Sequence, residues 1–151
     1  MKKIFLVTRG EKYPGYDSEL TSNGRKQITD TLRNLAAKIP PPPLILIGLG
    51  QSFNDICLII ESVRQWQQVL IKHSIFCGIG EEENSPTDYI GLTDKNAFTP
   101  WNWFASLPNN ALLCVNKDLI SALGLKDLYR DGILIEINVN AKTGRQIIID
   151  S

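Results

Sequence analysis

The sequence predicts an α/β fold: a three-layer sandwich in which a mainly parallel sheet is flanked by helices. Three observations carry this expectation. Short uninterrupted apolar runs at 4–7, 44–47 and 111–115 have the character of strands buried on both faces. Between them lie longer segments whose apolar residues recur at helical spacing. Strand and helix signals alternate along the chain, as they do in parallel βα units. With 151 residues the chain is long enough for one domain with a real core, expected to span 1–151, and too short for two comfortable ones.

The elements follow in order. Residues 3–8 read as a buried strand, and 9–19 as a loop carrying Gly10, Pro14, Gly15 and Asp17. Thr21 is a fitting N-cap for a helix that runs to Lys38, with Ile28, Leu32, Leu35, Ala36 and Ile39 in helical register. The prolines at 40–43 stop it, because proline cannot continue a helix and restricts its neighbour. A second apolar strand, 44–48, leads through Gly48, Leu49 and Gly50 into a helix expected at 51–72. That helix places Ile56, Ile59, Ile60, Val63, Trp66 and Leu70 near one face. A third strand is expected at 74–79, a polar loop at 80–97, and a short helix near 100–107. A fourth strand at 111–115 and a short helix at 117–124 follow. Residues 133–139 and 145–149 bracket a terminal hairpin, with Gly144 expected in its turn.

Composition narrows the function. At 43% hydrophobic and 21% charged residues the chain resembles an ordinary soluble globular protein. Its formal net charge is zero and its pI is near 6.6, so no long-range field recruits nucleic acid or anionic lipid. No apolar stretch approaches the ~20 residues of a membrane span. Cys57, Cys77 and Cys114 are odd in number, sit among apolar residues and lack metal or redox spacing, which fits free thiols in a reducing cytoplasm. No cofactor or metal is implied.

In open α/β sheets ligands lie beyond the carboxyl ends of the strands. The turns at 8–11, 48–52 and 116–118 are therefore the places to look. The first reads Leu6-Val7-Thr8-Arg9-Gly10-Glu11, and Leu20-Thr21-x-x-Gly24-x-x-Gln27 follows. This pattern resembles the histidine phosphatase superfamily, the phosphoglycerate mutase-like proteins, and by length its compact SixA-like branch. There the first strand ends in Leu-Val-Arg-His-Gly-Glu and the next helix opens with Leu-Thr-x-x-Gly-x-x-Gln. The resemblance implies a phosphate pocket with a histidine nucleophile, two arginines and a second histidine. In this chain Thr8 stands at the first arginine, Arg9 at the nucleophile, Ser52 at the second arginine and Asn116 at the second histidine. A guanidinium is neither nucleophile nor base.

The expectation is thus a catalytically degenerate histidine-phosphatase-like domain acting in binding, regulation or assembly. The alternatives are an active phosphatase or hydrolase acting on a phosphorylated substrate, and a non-catalytic anion or phosphometabolite binder. Arg9 is the candidate anion-binding residue, a forked cation able to take a carboxylate or phosphate. It is expected either to pair with Glu11 or Asp55 or to point into solvent. The only histidine, His73, is expected near the end of the second helix, at the opposite end of the layers from the pocket. Gly48-x-Gly50 is a weak dinucleotide signal, since Phe53 occupies the third glycine position. The aromatic 101–104 segment, with Trp101, Trp103 and Phe104, reads as packing. If exposed, it is the candidate surface for a protein partner.

Overall fold

The computed structural model describes residues 2–15, 17–78 and 99–148. Six strands, β1 (Lys3–Thr8), β2 (Ile45–Ile47), β3 (Ile71–His73), β4 (Ala111–Val115), β5 (Leu134–Asn138) and β6 (Thr143–Ile147), form one sheet in the order β3-β2-β4-β1-β5-β6. The four strands from β3 to β1 are parallel, and β5 and β6 complete the sheet antiparallel to their neighbours. Among the described residues four α-helices accompany them: α1 (Ser22–Lys38), α2 (Gln51–Glu61), α3 (Pro100–Ser106) and α4 (Lys117–Ala122).

Strand alternation divides the core into two layers. In β1, Phe5 and Val7 join α1 and α2 residues such as Ile28, Leu32, Phe53 and Ile56 on one face. Ile4 and Leu6 join Phe104 of α3 and Leu119 and Ile120 of α4 on the other. Successive strand side chains point to opposite faces, so a strand covered on both sides must be apolar throughout. That is why the runs at 3–8 and 111–115 were legible. The predicted α/β sandwich is the observed fold.

Three boundaries differ from expectation. The second helix ends at Glu61, not near 72. Ser62 turns its hydroxyl back onto the Ile59 carbonyl at 2.6 Å, and a 3₁₀ turn, Arg64–Trp66, follows. Trp66 is buried there, which preserved the apolar period past the true helix end, whereas Leu70 is exposed. The third strand is Ile71–His73, ahead of the expected 74–79. It is a short edge strand with exposed residues, so it lacks an apolar signature. Ser74 instead caps a 3₁₀ turn, Ile75–Cys77, by accepting from Phe76 N at 3.2 Å. Finally, Gly144 belongs to β6, opposite Ile137, and the bend falls before it, where Lys142 adopts φ 55. A Cβ on Gly144 would lie 2.8 Å from Leu125 Cδ1 and 2.9 Å from Ile137 Cδ1, so close packing explains this glycine. The expected polar loop at 80–97 lies outside the described residues.

Candidate functional site

The parallel strands end along one edge of the sheet, and backbone hydrogen bonds stitch their turns together. Arg9 N donates to Val115 O at 2.9 Å, Ser74 N to Ile47 O at 2.8 Å, Leu49 N to Gly78 O at 3.0 Å and Asn116 N to Cys77 O at 2.9 Å. The first turn is held by the start of α1. Thr21 Oγ1 accepts from Gly24 N at 2.9 Å, capping the helix, and donates to Glu11 Oε1 at 2.7 Å. Gln27 Oε1 accepts from Glu11 N at 3.0 Å. At Gly24 the two segments nearly touch: a Cβ there would lie 1.9 Å from Glu11 O. The Thr-x-x-Gly-x-x-Gln spacing is therefore a clamp on the Gly10–Glu11 backbone. It needs a cap, a residue without Cβ and an amide acceptor on successive turns of one helix face.

The sequence-derived positions lie on these turns. Thr8 is fully buried, accepts from Ile133 N at 2.9 Å and donates to Arg130 O at 2.5 Å. Its hydroxyl ties β1 to the segment entering β5. Asn116 is buried and N-caps α4, its Oδ1 accepting from Asp118 N at 3.1 Å. Ser52, in the first turn of α2, is fully buried, and its Oγ has no hydrogen-bond partner among the described residues. Arg9 is 3% exposed, so it does not point into solvent. Glu11 Oε1 takes the Thr21 hydroxyl, and Asp55 Oδ2 takes Leu20 N at 3.0 Å and Arg25 Nη2 at 3.3 Å.

His73 requires a correction. It ends β3 on the same sheet edge as these turns, and its Nδ1 lies 3.1 Å from Gly48 O. A carbonyl only accepts, so that nitrogen carries the proton. The residue is exposed and sits on the outermost strand, three strand positions from β1. At ~4.8 Å per position the separation is about 14 Å, beyond the reach of an imidazole to the first turn.

One contact has no local signal in the sequence. Gly50 occupies the cap position of α2 and brings no side chain. Asp17 Oδ1, from the loop after β1, accepts from Gln51 N at 2.8 Å in its place. The only hint was a cap position with nothing to cap with.

The buried thiols are inert. Burial pushes Cys77 well above its ordinary 9.0, and Cys114 up to about 12. Both are fully buried as neutral thiols. In the aromatic segment Phe104 is buried, while Trp101 and Trp103 are half-buried against the α3–α4 core layer. Trp103 meets Phe76 edge-on at 5.2 Å between centroids. Among the described residues no group of three or more His, Cys, Asp and Glu could hold a metal ion, and no helix is long and apolar enough to cross a membrane.

No protein-family model and no curated protein matches this sequence. Solved structures do match in fold. A mycobacterial glucosyl-3-phosphoglycerate phosphatase aligns at TM-score 0.62 and 11% identity, covering 96% of each chain. The alpha-ribazole phosphatase of Shigella flexneri aligns at TM-score 0.60 and 14% identity, covering 99% of this chain and 96% of that one. A protein of Agrobacterium tumefaciens named as a candidate phosphohistidine phosphatase SixA aligns at 0.60 and 14%, covering 99% and 97%. The architecture is the phosphoglycerate mutase-like α/β fold of these SixA-like neighbours. At such identities the likeness is one of fold.

Proposed function

We propose that this chain is a catalytically degenerate domain of histidine-phosphatase fold, with a binding, regulatory or assembly role. The observation that carries this reading is the use of the turn side chains. Thr8 spends its hydroxyl in both directions on the β5 entry. Asn116 spends its carbonyl on the α4 cap. Ser52 is sealed from solvent. Phosphoryl transfer through the protein needs an accessible nucleophile beside groups that stabilise developing charge. The only histidine lies on the far strand, and Arg9 is cationic. An active hydrolase is disfavoured on those grounds.

A second reading, a non-catalytic binder of a small anion or phosphorylated ligand, draws support from Arg9 at the end of β1. One structure of the mycobacterial phosphatase is a complex with inorganic phosphate, at TM-score 0.60 and 12% identity to this chain. The two readings share a site without turnover. Quenching at alkaline pH, where a phosphohistidine survives, after incubation with a phosphohistidine donor, followed by intact-mass measurement, tests them together. No phosphoryl adduct is expected. An adduct that maps to His73 would contradict both.

A further inference from the structure

The amino terminus of α2 is closed by a carboxylate from outside the helix. Asp17 reaches it across 34 residues of sequence to take the Gln51 N–H. It does so at φ 52, a left-handed conformation that aspartate and asparagine tolerate better than most residues. The same loop is tied to the flank of α2 through Leu20 N and Asp55 Oδ2. An eleven-residue helix presents free N–H groups and the positive end of its dipole at this point, the ordinary setting for an oxyanion.

Ser52 supplies an independent observation. Its hydroxyl is fully buried and has no hydrogen-bond partner among the described residues. It shares the inward face of α2 with Ile56 and Ile60. Ser52 follows directly on Gln51, whose N–H Asp17 takes, so the unpartnered hydroxyl lies in the first turn at the helix mouth.

We propose that the mouth of α2 is an oxyanion position that the chain plugs with its own Asp17. Withdrawal of this carboxylate admits a phosphoryl group, held by the α2 N–H groups and the Ser52 hydroxyl. This inference rests on the non-catalytic reading above and gives that site a regulated ligand.

The test follows thermal unfolding of the full chain in inorganic phosphate against chloride at matched ionic strength. Asp17→Gly deletes the carboxylate and adopts φ 52 without strain; Asp17→Asn keeps a capping acceptor and deletes only the charge. Wild type should melt alike in both salts. Asp17→Gly should show a saturable phosphate-specific rise of ~2–6 °C, and Asp17→Asn a smaller one. Adding Ser52→Ala to Asp17→Gly should remove most of that rise. Phosphoserine in place of phosphate should reproduce the rise if a phosphomonoester is the source of the ligand, and a rise with phosphate alone assigns the site to the free anion. The inference is overturned if wild type responds as strongly as Asp17→Gly, or if neither Asp17 variant responds. Should Asp17→Gly fail to fold, Asp17→Asn decides the matter alone. Turnover is measured on the same preparations. Hydrolysis by wild type overturns the non-catalytic reading, whereas silent phosphate responses without hydrolysis overturn only the plug.

Discussion

Thr8 is bonded on both sides of its hydroxyl, accepting from Ile133 N and donating to Arg130 O in the β1–β5 seam. Thr8→Val keeps the shape and strands both groups. The bonds are part-buried, so their loss should cost about 1 kcal/mol, the net worth of an ordinary hydrogen bond, and the variant should melt lower than wild type in calorimetry. An unchanged melt would return Thr8 to the list of available pocket groups. Arg9 is tied on the other side of β1: its backbone N donates to Val115 O of β4, and its side chain is buried. The thiols give a residue-scale prediction with a pH sign. Unfolded cysteine ionises near 9.0, while Cys114 in the fold is held up to about 12 by burial. Between these values the unfolded chain has released a proton that the folded chain retains. Stability is therefore intact below pH ~9 and falls as pH rises toward 12. Urea titrations on either side of pH ~9 should show this loss, and Cys114→Ala should lessen it, leaving the share that the likewise raised Cys77 contributes.

The helix-opening motif acts at the scale of the element. Gly24 sits inside α1, where alanine is intrinsically better by ~1 kcal/mol. A Cβ there would meet Glu11 O at 1.9 Å, and the first two turns are backbone-locked to each other. Overpacking of this kind costs ~1–3 kcal/mol or more, so the clash wins. Gly24→Ala should lower the chemical-denaturation midpoint despite its helical preference. A gain in stability would mean that the clamp on Glu11 is loose. This motif was readable in the sequence because it is a local device, with cap, glycine and glutamine on one helix face. The end of α2 was not, because Trp66 extends the apolar rhythm into a 3₁₀ turn. Strand β3 was not, because an exposed edge strand carries no continuous apolar run.

Over the whole molecule, the sheet order places β1, β4 and β2 side by side, so turns far apart in sequence become neighbours at one edge. The two-sided burial of those strands is what made the sandwich legible. The site was legible only as positions: register names Thr8, Arg9, Ser52 and Asn116 but does not say what each side chain bonds to. It also misplaced His73, since the early end of α2 moves β3 forward and turns that residue from a helix end into a strand end. The Asp17 contact escaped altogether, because a long-range side chain to backbone bond leaves no periodicity. For the molecule as a whole, the proposed reading is that this fold is used without phosphoryl chemistry. Its most direct test is phosphate release from phosphohistidine and from a panel of phosphomonoesters by purified wild type, beside His73→Ala. The account predicts release at the buffer background for both proteins; release by wild type that His73→Ala abolishes would contradict it.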